Sequence, residues 1–141
     1  MNSAEKALRA MRLVHIGLVF AAAAYLAVPW LVGKPMMRKT PMAMILALGA
    51  VAFASLAGAG LLRARLLPAA GEALRRNADD AGAIQRWRAV VLLSLALSET
   101  AVLFGLALRL AGAPGKVCAI FYGAGIFLLL AWTPRLDLPP S

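Results

Sequence analysis

The chain contains one cysteine and one histidine in 141 residues. Cys118 alone cannot close an intrachain disulfide or build a multi-cysteine metal site. His15 alone cannot provide di-histidine haem ligation or a His-based metal cage within one chain. No cofactor or metal is therefore expected. Acids are equally scarce, with six Asp and Glu in all, and charged residues make up 15%. A soluble domain carries about 25% charged residues and 45–50% apolar ones. No pair of carboxylates, nucleophile with a matching base, or glycine-rich phosphate loop stands out, so no catalytic activity of its own is expected. A lipid-directed enzyme built on Cys118 is the weakest reading, because His15 lies at the far end of the chain.

What is abundant decides the class. Hydrophobic residues reach 62% and the mean hydropathy is +0.81. The expected fold is all-α: a polytopic integral membrane protein in a single four-helix membrane domain over residues 1–141, multi-pass in the cell membrane. Four apolar stretches fall at about 13–32, 41–62, 89–111 and 117–133, each close to the ~20 residues that cross a hydrocarbon core of about 30 Å. Ser3 and Glu5 are placed to open the first helix. Pro29 is expected to kink its far end, and Trp30 to anchor it at the interface. A cleaved signal is the rival reading of this segment, although its apolar run is longer than a usual signal core. A short basic loop follows at 33–40. Residues 63–88 are expected to form a polar cytoplasmic loop interrupted by Pro68 and Gly71. Asp80 is the expected cap of a helix running through Ile84 and Trp87 into the third span, with Trp87 at the membrane surface. Gly112 to Gly115 reads as a turn, Trp132 as the anchor of the fourth span, and Gly123 and Gly125 as close contacts or flexible points.

The formal charge is +9. Its cations cluster between the apolar stretches, as topology signals do, and would meet anionic headgroups. The lipid bilayer is therefore the expected partner, and nucleic acid is not. Four spans place both termini and residues 63–88 on one side. That side carries Lys6, Arg9, Arg12, Arg135 and the six arginines of 63–88, ten cations against five (Lys34, Arg38, Lys39, Arg109 and Lys116). The positive-inside rule makes it the cytoplasmic side.

Glu99 is the one acid inside any apolar stretch. At mid-membrane an ionised carboxylate costs roughly 2.5–3.5 kcal/mol on insertion scales, so the side chain favours its neutral, protonated form there. It is the expected proton-binding residue. Ser98, Thr100, Ser55, Tyr25 and Tyr122 are its possible hydrogen-bond partners by depth, and Ser94 shares a face with Ser98. His15, about 12 Å from the centre of its span at the helical rise, is expected at the interface near Arg12. Ala50, Ala54 and Gly58 form a smooth ridge on the second span. It fits ordinary helix packing within the chain or a seam between subunits, and Gly105 is a further packing position.

Glu99-Thr-Ala-Val-Leu-Phe104-Gly105-Leu106 resembles the carboxylate-bearing helix of rotary ATPase proteolipids, the c subunits of ATP synthases and their vacuolar-type relatives. The preceding Gly- and Ala-rich span is similar to the inner helix of such a hairpin, and the likeness covers about residues 41–111. It implies a ring of subunits and a proton bound and released at Glu99. Two functions are thus expected to compete. One is a proton-binding or proton-translocating subunit of an oligomeric membrane complex, whether a homo-oligomer or a larger assembly. The other is a scaffold or accessory subunit whose buried Glu is structural.

Overall fold

The computed structural model of the chain describes residues 2–32 and 40–136. Within them it is all-α, with four helices: α1 (Ser3–Val32), α2 (Met42–Arg76), α3 (Ala81–Leu110) and α4 (Gly115–Ala131). Helices α1 to α3 are long and apolar enough to cross a membrane, and α4 is apolar but shorter, at 17 residues. The basic loop at 33–39, the side chain of Trp30 and residues 137–141 lie outside what is described.

Local chemistry fixes the helix ends. At the start of α1 the cap is Asn2, one residue earlier than expected. Its Oδ1 accepts from the Glu5 N–H at 2.9 Å, and Glu5 Oε2 accepts from the Asn2 N–H at 3.2 Å. This reciprocal pair has the geometry of a capping box. It frees Ser3 for another role: its backbone N–H donates to Asp79 Oδ1 at 2.8 Å, beside an Ala4 N–H to Ala78 carbonyl bond at 3.1 Å. The start of α1 is thereby fastened to the α2–α3 turn.

Asp80 caps α3 as expected, accepting from the Ala83 N–H at 3.0 Å. The far end of α3 closes in a Schellman motif. Gly112 takes φ 90°, its N–H reaches the Arg109 carbonyl, and the Ala113 N–H reaches the Leu108 carbonyl. Only a residue without Cβ enters this left-handed region freely. Ala113 and Leu108 pack together over the turn, the apolar contact that accompanies the motif. Pro114 then presets the entry to α4 at φ −55°. Thr40 Oγ1 donates to the Ala111 carbonyl at 3.0 Å, tying the start of α2 to this same end. The two tethers make consecutive helices antiparallel, so α1 and α3 run parallel.

Residues 63–88 are not a loop. Helix α2 continues through Pro68 to Arg76, and only residues 77–80 lie between it and α3. Pro68 removes one helical donor. Packing outweighs that loss, because Ala70 and Leu74 are buried and Leu67 packs against them. Apart from half-buried Arg63, the arginines decorate the outer faces, which is why this stretch reads as polar. Trp87, expected at the membrane surface, is 1% exposed and is the largest fully buried side chain.

Helix α3 is the hub. It touches each of the other three helices, and α1 and α4 meet one another only lightly. The α3–α4 contact is closest at Gly125. A Cβ there would stand 2.5 Å from Val102 Cγ2 and 2.7 Å from the Ser98 carbonyl oxygen. Gly105 is also tight, at 3.2 Å from Phe121 Cβ, whereas Gly123 has nothing within 4 Å.

Two outcomes follow from these contacts. Gly125→Ala should destabilise the fold by about 1–3 kcal/mol, the usual cost of overpacking, seen as a lower melting temperature in detergent, while Gly123→Ala stays close to the parent. The hydrogen bonds from Ser3, with Lys6 adding its charge, hold the Asp79 carboxyl below its ordinary range. The tether of α1 is therefore complete above the unfolded-state value of about 3.9 and is lost as pH falls through the lower folded value. Protection of the Ser3 and Ala4 amides, measured against their intrinsic exchange rates, should fall on acidification below about pH 4, and Asp79→Asn should abolish that step.

Candidate functional site

Glu99 stands on α3, eleven residues before its last residue, Leu110. At the helical rise that is about 16 Å from the end of the helix. It is half-buried on the side of α3 that meets α1. Tyr25, from α1, donates its hydroxyl to Glu99 Oε1 at 3.2 Å. This is the one hydrogen bond to the carboxyl among the described residues, and no basic side chain there forms an ion pair with it. The sole ion pair described joins Arg76 and Glu72, exposed and one turn apart on α2.

None of the other proposed partners bonds to the carboxyl. Ser98 Oγ donates to the Ser94 carbonyl at 2.9 Å, Ser94 Oγ to the Val90 carbonyl at 2.7 Å, and Thr100 Oγ1 to the Ala96 carbonyl at 2.9 Å. Each hydroxyl thus folds back on its own helix, four residues upstream, and satisfies itself without a neighbour. Ser55 is half-buried on α2 and makes no hydrogen bond to Glu99. Tyr122 packs its ring 3.3 Å from the Cβ position of Gly105. That is six residues along α3 from Glu99, or about 9 Å at the helical rise. Its hydroxyl is buried without a hydrogen-bond partner among the described residues. Of the five predicted neighbours, the fold therefore brings Tyr25 alone to the carboxyl.

The smooth ridge of α2 points outward. Ala50, Ala54 and Gly58 are exposed, and a Cβ on Gly58 would meet nothing within 4 Å. The residues of α2 that pack inward are Ala52, Ala59, Ala70 and Leu74. Among the described residues no other helix covers the ridge. Gly105 does pack, against Phe121, Cys118 and Tyr122 of α4.

Two polar residues carry contacts that the sequence did not reveal. His15, expected at the interface, is 8% exposed, and its Nε2 lies 2.7 Å from the Leu129 carbonyl of α4. A carbonyl only accepts, so Nε2 carries the proton. The single histidine is thus a cross-helix fastener, and no periodicity signals that. Arg63 lays its guanidinium over the Trp132 ring, 5.6 Å from the centroid, at a distance suited to a cation–π contact. The spacing of Leu67, Ala70 and Leu74 at i, i+3 and i+7 was the available sign that this region is helical.

No family model, curated protein or solved structure matches the chain.

The Tyr25–Glu99 bond is measurable. A double-mutant cycle of Tyr25→Phe and Glu99→Ala should return a coupling of about 0.6–1.7 kcal/mol, the range for hydrogen bonds between membrane helices. A coupling near zero in unfolding titrations would show that the two side chains do not interact.

Proposed function

We propose that this chain is a multi-pass membrane protein in which Glu99 binds and releases a proton, working within an oligomeric complex. The observation that carries this reading is the Tyr25–Glu99 pair. It is a carboxyl on the most buried helix, held by one neutral donor from another helix. A group of that kind inside hydrocarbon is costly, and such residues mark ion and proton sites. Glu99 stands about halfway through a ~30 Å core if that core begins near Leu110.

The length and charge of the helices support the topology. Helix α4, with 17 residues, spans about 25 Å, at the short limit for a crossing. Helices α1 and α3 span about 45 Å and α2 about 52 Å, so they project well past a hydrocarbon slab. The projecting end carries the start of α1, the α2–α3 turn and residues 132–136. It is rich in arginine and faces the cytoplasm on the positive-inside rule. The α2–α3 hairpin, closed by four residues, fits the proteolipid resemblance. The uncovered ridge of Ala50, Ala54 and Gly58 is a surface against which a second helix can approach closely.

A scaffold reading has its own support. The same Tyr25–Glu99 bond fastens α1 to α3, and a structural carboxyl needs no more than that. Dicyclohexylcarbodiimide, which modifies protonated carboxyls in apolar surroundings, separates the two. A titrating site should label at Glu99 with a yield that fades as pH rises, and Glu99→Gln should abolish both labelling and proton flux in vesicles. Absence of labelling at every pH, with flux unchanged in Glu99→Gln, would leave the scaffold alone.

A further inference from the structure

A second polar hollow lies at the arginine-rich end, below the last turn of α4 and away from Glu99. Its volume is about 270 Å³, and Arg63, Arg75, Arg135 and Trp87 line it with Leu67 and Leu136 as apolar wall. Two donors in this wall lack acceptors: Arg63 Nη1 and Trp87 Nε1 are buried with no hydrogen-bond partner among the described residues. Trp87 is 1% exposed, so bulk water does not serve its N–H. A buried donor left without an acceptor is destabilising. The acids do not relieve it. Glu72 pairs with Arg76, Asp79 receives Ser3, Asp80 caps α3, Glu5 closes on Asn2, and Glu99 takes Tyr25. Three cationic side chains thus converge on one hollow with no facing carboxylate among the described residues. The Arg63 guanidinium is already held in place over Trp132.

We propose that this hollow binds the phosphate group of an anionic phospholipid. Every polar side chain in its wall is a donor, and the indole N–H and guanidinium forks have no acceptor capacity. The complementary ligand is an anion with several acceptor oxygens, which a phosphate supplies and arginine grips well. Arg63 directly follows the apolar stretch of α2 that ends at Leu62, and Trp132 ends α4. In a bilayer both fall at headgroup depth, where basic pockets between helices hold anionic lipids. The anionic class of the ligand rests on the donors alone. Its lipid source rests on the membrane reading above and is independent of any titration at Glu99.

The test uses the full chain in neutral detergent. Native mass spectrometry would follow retention of phosphatidylglycerol against equimolar phosphatidylcholine, and a separate titration would use inorganic phosphate. Phosphatidylglycerol should be retained preferentially. Arg63→Gln should lower its retention roughly tenfold or more, as expected for losing a charged hydrogen bond. Gly71→Leu is the second variant. Gly71 lines the same hollow, and a Cβ there meets nothing within 4 Å. Leucine fills the space while favouring the helix, so this variant folds and should also lose the lipid. Phosphate binding that is lost in both variants, without any lipid preference, would keep the anion site and make free phosphate its ligand. Equal retention of the two lipids with no phosphate binding would overturn the proposal, as would phosphatidylglycerol retention unchanged in both variants. So would a sharp rise in retention on Asp137→Asn, because the chain's own carboxylate would then fill the hollow. Glu99→Gln should leave lipid retention unaltered, so the two sites fail separately.

Discussion

The burial of α3 is the constraint on which the structure depends. A helix that packs against three neighbours has little room for polar groups on its inner faces, and those buried there must be satisfied within the bundle. Ser94, Ser98 and Thr100 meet that demand by returning their hydroxyl protons to carbonyls of α3 itself. Gly125 meets a different demand. Its missing Cβ allows the backbones of α3 and α4 to touch at Ser98 and Val102, and that approach brings α4 against the hub. Glu99 is too long and too polar for either solution. It takes its partner from α1, so the same residue that raises the question of function also joins two helices.

A second consequence is the unequal length of the four helices. Helix α4 ends early, and the chain after it continues toward the α2–α3 turn, where Pro134 is buried and Leu136 packs against the core. The space left below α4 is lined by α2, α3 and this segment. Arginines collect there because the outer end of the bundle tolerates charge and the apolar middle does not. Charge therefore sits toward the ends of the helices, with one acid, Glu99, inside the apolar run of α3. Tertiary packing also explains why α2 survives Pro68. Leu67, Ala70 and Leu74 fasten the helix beyond the proline, and the Asp79 tether holds the turn that follows.

The sequence made the interruptions of the chain legible, but not the directions in which its residues face. Four helices, three of them long and apolar, the Asp80 cap and the Gly112 turn follow from local rules and are present in the structure. Depth arithmetic named Tyr25, because residues on parallel helices can be ranked by rise alone. The same arithmetic named Tyr122 and Ser55, and it could not tell which side of α3 each would approach. His15 was misplaced for a related reason. Depth put it near an interface, yet its orientation toward Leu129 turned it inward. Residues 63–88 read as a loop by charge because six arginines mask an apolar face of helical period that buries Ala70, Leu74, Ala83, Ile84 and Trp87. The ridge of α2 shows the converse. Small residues four apart specify a smooth surface, and nothing local says whether another helix of the same chain will cover it.

The choice of tyrosine as the partner of Glu99 bears on what the pair can do. A lysine or arginine at that position would fix the carboxyl as an anion, and losing the proton would become permanent rather than cyclic. A tyrosine hydroxyl supplies a donor without charge. It can bond to an oxygen of the protonated acid or of the carboxylate, so the α1–α3 joint persists whichever form is present. On the proposed proton-binding reading, exchange at Glu99 need not break the contact that holds the helices together, and among the described residues no hydrogen bond occupies its second oxygen. The scaffold reading requires only the first of these properties.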